Sequence, residues 1–291
     1  MAFFPINQVS FSQANEASAG DAQSLRLILN ADIANVNVIL KDLPGNQLAT
    51  TNISAIGWRG IFGTDQPLSL SFIEDTNTPS TLTWLVNVSR AGDWPIVGLL
   101  NVQCNVYIDP SVNLGIMVHT ETGTITIDAD RQATFDDLVL QTTTGSVTAR
   151  LGSAAVIDNR VVVEATTGSV QFAWDNPKVN GNVPVNLRTS TGSVNVNINQ
   201  SRQLQGNVTL NAETSTGSVT LNMNLQNDVG AKIAASTSIG GINVQEQGFS
   251  GNNVPLQSNN YPAASNFDVT LRTTTGSINI NANSGLVGTR S

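Results

Sequence analysis

Charge is scarce in this chain. Only 12% of its 291 residues are Asp, Glu, Lys or Arg, and Lys occurs just at Lys41, Lys178 and Lys232. The formal net charge is −8 and no run of Lys or Arg exists, which excludes the basic patches that nucleic-acid binding requires. Cysteine is nearly absent. The sole Cys104 cannot form an internal disulfide, and its alternation with Val102 and Val106 marks a buried thiol rather than a nucleophile. With His119 as the only histidine, a histidine-rich metal site cannot be assembled, and a Ser-His-Asp triad would need partners that the sequence does not place. No apolar run is long enough to cross a membrane, and Met1 to Asn15 lacks the basic and apolar regions of a secretion signal. The expectation is either an intracellular protein or an ectodomain without its anchor or signal.

What the chain does have is a repeat. The pattern T-[ST]-T-G-S-[VI] occurs at Thr142 to Val147, Thr189 to Val194, Thr214 to Val219 and Thr273 to Ile278, with looser copies at Thr120 to Ile125, Ala165 to Val170 and Thr237 to Ile242. The glycines Gly123, Gly145, Gly168, Gly192, Gly217, Gly240 and Gly276 are spaced by 22, 23, 24, 25, 23 and 36 residues. Periods of this length indicate stacked repeats. Apolar residues alternate on both sides of each glycine, as in Val185, Leu187 before Gly192 and Val194, Val196, Ile198 after it. Period-2 alternation flanking a glycine predicts two half-buried strands joined at a corner. One such pair cannot bury its apolar face alone, so the chain is expected to be an all-β, right-handed β-solenoid of stacked two-strand rungs of about 22–25 residues.

Parity places the threonines three and one before the glycine, such as Thr142 with Thr144 and Thr189 with Thr191, on the inward side. They are expected to form a structural hydroxyl ladder rather than an ice-binding face. Outward positions four before the glycine include Glu164, Arg188 and Glu213, which stack into an alternating charge ladder if the rungs follow in order. After the glycine the outward residues are amides and hydroxyls: Asn195 and Asn197, Asn222 and Asn224, Asn279 and Asn281. Such rows form a wettable face able to contact sugars, a cell wall or an identical neighbour, weighed against plain solvated strand positions. The acidic group Asp128, Asp130, Asp136 and Asp137 is a candidate Ca²⁺ site, weighed against a solvated acidic loop.

Residues 1–110 differ in texture. They read as a β-rich N-terminal cap with a degenerate first rung over Asp21 to Leu40, and with Trp58, Trp84 and Trp94 as its core rather than a sugar-stacking platform. Residues 111–284 form the repeat region. The insertion at 245–266, which contains Tyr261, is the candidate contact loop, and 285–291 a frayed tail.

The Thr-Gly-Ser-Val corners with alternating flanks over residues 116 to 282 resemble the bacterial and archaeal adhesin-like family of β-strand-repeat proteins. That resemblance implies a β-solenoid on the outer side of the membrane, extracellular or at the cell surface. It brings no catalytic residues or cofactor to carry over. The functional expectation is a non-enzymatic adhesin-like module contacting glycan or envelope polymer through the Asn/Thr face or the 245–266 loop. The alternative is a self-assembling filament or coat subunit; a polysaccharide-active enzyme ranks below both, because the carboxylates do not recur at matching positions.

Overall fold

The computed structural model describes residues 7–18, 20–59, 66–91, 100–226, 229–251 and 254–285. The chain is all-β, with no helix among the described residues. In chain order the strands are β1 (Asn7–Ser18), β2 (Ser24–Ile33), β3 (Asn35–Leu40), β4 (Gln47–Arg59), β5 (Leu68–Asp75), β6 (Thr81–Arg90), β7 (Asn101–Ile108), β8 (Asn113–Thr122), β9 (Ile125–Ala129), β10 (Ala133–Thr144), β11 (Val147–Leu151) and β12 (Ala155–Thr167). There follow β13 (Val170–Asp175), β14 (Lys178–Val179), β15 (Val183–Thr191), β16 (Val194–Gln200), β17 (Val208–Thr216), β18 (Val219–Gln226), β19 (Val229–Ile239), β20 (Ile242–Gln247), β21 (Phe249–Ser250), β22 (Leu256–Ser258), β23 (Ser265–Thr275) and β24 (Ile278–Gly285).

Each repeat gives one strand to each of two sheets, and that pair is one rung. The strand before the glycine joins sheet B, ordered β21-β22-β19-β23-β17-β15-β12-β10-β8-β2-β6-β5, and the strand after it joins sheet A, ordered β1-β4-β7-β3-β9-β11-β13-β16-β18-β24-β20. Among the described residues neither sheet closes on itself. Between rungs the pairing is parallel and residue-for-residue, for example Val194 beside Val219 and Val185 beside Leu210. The alternating apolar residues point between the sheets and form one continuous core. Trp174 of sheet A meets Phe267 of sheet B edge-on at 5.8 Å, which shows the two sheets facing each other across it.

Strand order departs from chain order at both ends. The rung β23/β24 lies between β17/β18 and β19/β20, so the seventh repeat sits on the fifth and the sixth forms the end. At the other end β6/β7 lies outside β2/β3, and the chain returns past β2/β3 to place β8/β9 next. The N-terminal region therefore contributes two rungs, covered by antiparallel β4 and β1 in sheet A and β5 in sheet B. Trp84 is buried in this region, stacked on Phe72 at 6.4 Å. Trp94, the side chain of Trp58 and residues 286–291 lie outside the described residues. Cys104 is fully buried in β7 beside Val36 and Ile53, and burial pushes its thiol up to about 12.

At the corners the threonine expectation is half met. The residue three before the glycine is buried and its hydroxyl donates to the corner-glycine carbonyl of the adjacent rung: Thr142 to Gly123 at 3.1 Å, Thr189 to Gly168 at 2.9 Å, Thr214 to Gly192 at 3.0 Å and Thr273 to Gly217 at 3.0 Å. The residue one before it is exposed in Thr144, Thr167, Thr191, Thr216 and Thr275, because the chain begins to turn before the glycine and inward-outward parity fails there. The glycines stack directly on one another. At Gly192, φ is +142° and a Cβ would stand 1.9 Å from the Gly168 carbonyl oxygen, so both the backbone conformation and the close approach demand glycine.

Candidate functional site

The outward residues of sheet A follow from the same alternation that builds the core. In β16, Val194, Val196 and Ile198 face in, which turns Asn195, Asn197 and Asn199 out; β18 and β24 repeat the arrangement. In-register pairing then makes columns across the strands. One column runs Arg150, Ala173, Asn197, Asn222, Asn281, Gln245, and the next runs Asp175, Asn199, Asn224, Asn283, Gln247. A third runs Gln171, Asn195, Thr220, Asn279, Asn243.

The amides bond along the columns. Asn222 Nδ2 donates to Asn197 Oδ1 at 2.9 Å, Asn199 Nδ2 to Asp175 Oδ1 at 3.0 Å, and Asn243 Nδ2 to Asn279 Oδ1 at 2.9 Å. Longer links of 3.5 Å join Asn224 to Asn199 and Asn283 to Asn224. A primary amide has two N–H donors and a carbonyl with two lone pairs, so each Asn in such a ladder keeps a donor and an acceptor for something outside the protein. The columns line a groove of about 560 Å³, with Arg150 and Asp175 at one end and the Asn pairs at 197 and 199, 222 and 224, and 281 and 283 along it. Ligand pockets of that size are ordinarily apolar and enclosing. This one is open, its Asn amides are interspersed with apolar Ala173, Trp174, Ile198 and Met223, and it suits a chain with both polar and apolar surfaces lying across several rungs.

The two faces of the molecule are chemically unlike. The segments 190–199, 215–224 and 274–283, which run round the corner into sheet A, contain no charged residue, so apart from the corner glycines the corner and outward positions of three consecutive rungs are Ser, Thr and Asn. On sheet B the register sets Glu164, Arg188, Glu213 and Arg272 side by side as alternating charges. The expected ladder is thus one member longer, because the interchange of the last two rungs puts Arg272 beside Glu213 and moves Ser236 to the end. Gln141 Nε2 donates to Glu164 at 2.8 Å, while His119 is half-buried between Asn30 and Gln141.

The acidic group is divided between the faces. Asp128 and Asp130 are exposed at and just beyond β9 of sheet A, whereas Asp136 and Asp137 lie on β10 of sheet B. Asp136 sits in a bulge against β8, where it is raised from the ordinary carboxylate range by burial first and then by the charges of Asp158 and Asp137. Asp137 pairs instead with Arg160 Nε at 2.9 Å. Among the described residues no three His, Cys, Asp or Glu side chains gather as a metal site.

The 245–266 insertion is tied to the end of the stack. Phe249 and Leu256 are buried in the core, and β22 pairs antiparallel with β19 at Ile233 and Lys232. Ser258 Oγ accepts the Ala231 N–H at 2.8 Å, and Asn260 Nδ2 donates to the Val229 carbonyl at 3.0 Å. Tyr261 donates its hydroxyl to Asp268 at 3.0 Å, a bond that raises the phenol from its ordinary value. Asp268 faces out from sheet B, so Tyr261 belongs to the opposite side from the Asn groove. Sequence reasoning found the Asn rows but not Arg150 and Asp175, which repeat nowhere and become visible only when the columns are assembled.

No family model matches the sequence, and no curated protein matches it. Among solved structures the chain is similar to a candidate cell adhesion protein from Clostridium sporogenes, at 14% identity over 94% of this chain and 99% of that one, with a TM-score of 0.37. It is also similar to candidate adhesins from Bacteroides fragilis, at 10% identity over 93% and 96% with a TM-score of 0.31, and from Parabacteroides distasonis, at 11% identity over 93% and 96% with a TM-score of 0.22. Identity this low leaves the functional reading to the residues themselves.

Proposed function

We propose that the protein is a right-handed β-solenoid acting as a non-enzymatic surface module, which holds an uncharged carbohydrate polymer along the amide groove of sheet A. The observation that carries this reading is the charge-free Asn, Thr and Ser surface of three consecutive rungs, with the groove running across them. Carbohydrate hydroxyls both donate and accept, and each amide in the columns has one of each to offer. A polymer laid along the stack would meet the same pair of groups at every rung, about 4.8 Å apart. Affinity then comes from many weak, repeated contacts rather than from one deep pocket. Such a module belongs at a cell surface or outside the cell, where envelope polymers are found.

The experiment is a binding screen of the purified chain against neutral and acidic envelope polysaccharides, followed by the double variant Asn222→Ala with Asn281→Ala. Both positions are outward, so folding should be retained. Binding to a neutral polymer, weakened tenfold or more in the double variant and unchanged in Asn211→Ala on sheet B, supports the reading. Binding that ignores the sheet A substitutions, or prefers acidic polymers equally in every variant, overturns it.

A further inference from the structure

Among the described residues sheet A has an edge strand at each end, paired on one side, and the two edge strands run the same way. Among the described residues β20 pairs only with β24, and β1 only with β4. β1 is antiparallel to β4 and β4 to β7, while every pair from β7 through β3, β9, β11, β13, β16, β18 and β24 to β20 is parallel. Two reversals cancel, so β1 and β20 point in one direction from opposite ends of the stack. A second copy displaced along the stack would lay its β1 beside β20 as one more parallel strand.

Neither edge carries the features that keep natural edges apart. Lys, Pro and marked shortness are the usual devices. β1 is 12 residues long with no Lys, Arg or Pro and a single charge, Glu16; β20 has only Glu246. The Glu246 carboxylate turns back to accept the Phe249 N–H at 3.1 Å, away from the first half of the strand. The Gly241 carbonyl accepts the Ile278 N–H at 2.9 Å, which fixes the alternation: the peptide groups of Ile242, Val244 and Glu246 point to the open side. The exposed Ile239, at 66%, stands beside the same end.

Side-chain chemistry selects both the partner and the register. Ile242 and Val244 of β20 are half-buried and face the core; in β1, Val9 is buried and Phe11 half-buried with the same inward parity. We propose that the chain associates head to tail, with β20 of one copy pairing in parallel with β1 of a second copy, Ile242 beside Val9 and Val244 beside Phe11. Shifting the register by two residues either way sets one of these apolar residues against Asn7 or Gln13. On the outward side this register places Asn243 beside Ser10 and Gln245 beside Ser12, all uncharged. The two patches differ, so the contact is heterologous and repeats from copy to copy, giving rows rather than closed pairs. It does not depend on the carbohydrate reading.

The test is light scattering after size exclusion on the full chain across a concentration series. Gln245 and Ser12 are both exposed, so substitutions there leave each copy's core intact. Wild-type mass should grow with concentration beyond a single chain. Gln245→Lys combined with Ser12→Lys sets like charges opposite each other and should raise the concentration needed for growth severalfold, most clearly at low salt. Gln245→Lys with Ser12→Asp should restore it. Wild-type protein that stays a single chain throughout overturns the proposal, as does growth that ignores both double variants. If Gln245→Lys alone weakens association and Ser12→Lys alone does not, two β20 edges are meeting each other, and the head-to-tail pairing is wrong.

Discussion

Replacing Gly192 by Ala isolates the contact on which the corner depends. Two costs are expected to combine. The first is conformational: a residue other than glycine at φ +142° lies in a region essentially reserved for glycine, at roughly 1–3 kcal/mol. The second is steric. The new Cβ would stand 1.9 Å from the Gly168 carbonyl oxygen, more than an ångström inside ordinary contact, and that oxygen cannot retreat because it also accepts the Thr189 hydroxyl at 2.9 Å. Relief requires the two rungs to separate, which strains the Gly168 N–H bond to the Thr191 carbonyl at 2.8 Å and the Val170 bond to Ser193 at 2.9 Å. Losing two backbone bonds adds about 1–3 kcal/mol, so the total is about 2–6 kcal/mol.

The control is Gly181→Ala. Gly181 has φ +91° but nothing within 4 Å of a built Cβ, so only the conformational cost applies. Gly115→Ala, where a Cβ would meet Arg26 at an ordinary 3.7 Å and φ is not positive, should change stability by a few tenths of a kcal/mol to about 1 kcal/mol in either direction. Denaturant unfolding followed by circular dichroism measures all three, with midpoints and slopes compared in case a repeat array unfolds in parts. Equal destabilisation at Gly192 and Gly181 would refute the stacking argument and leave the glycine requirement purely conformational.

Three further outcomes follow from side chains at known partners. Ala165 occupies the threonine position of its rung, in register with Thr142 and Thr189, so Ala165→Thr should supply the missing hydroxyl to the Gly145 carbonyl and raise stability by about 1 kcal/mol; an unfolding midpoint that falls would show that the site has no room. Asp136 has a folded-state pKa raised above its unfolded value, so its carboxyl favours folding below the unfolded pKa and loses that contribution as pH rises through the folded one. Asp136→Asn should therefore stabilise at neutral pH and not in acid, and a pH-independent difference would contradict the assigned cause. Cys104, buried with a thiol at about 12, should resist a thiol reagent at pH 8 until the protein is unfolded; fast labelling of native protein would mean that the core around β7 opens readily.

The parts of the fold readable in sequence are those that strict alternation specifies. Val194, Val196 and Ile198 could face only one way, so the core and the outward placement of Asn195, Asn197 and Asn199 followed together. The corner threonines were readable only in part. Thr189 obeys strand parity, but Thr191 adjoins a glycine whose conformation has already turned the chain outward. The insertion at 245–266 was visible by its length, whereas its hold on the stack rests on Phe249 and Leu256, isolated apolar residues with no period to reveal them. Arg150 and Asp175 escaped notice for the same reason.

The order of the last two rungs was hidden for a different reason: parallel pairing of near-identical repeats lets β17/β18 accept either one. Two residue-level differences discriminate between them. Arg272 continues the alternation after Glu213 where Ser236 would break it, and the degenerate Thr-Ser-Ile-Gly-Gly-Ile copy goes to the end, where atypical repeats belong. The interchange also protects the last described strand, since β24 is held between β18 and β20 while the edge falls to β20, a segment anchored by chain on both sides. Amide hydrogen exchange at concentrations where the chain is single distinguishes this order from simple sequential stacking. The amides of Ile242 and Val244, directed to the open side, should exchange quickly, while that of Ile278, bonded to Gly241 at 2.9 Å, should be protected by well over tenfold. Fast exchange throughout β24 with protection in β20 would reverse the order of the rungs and remove the edge from which association is argued.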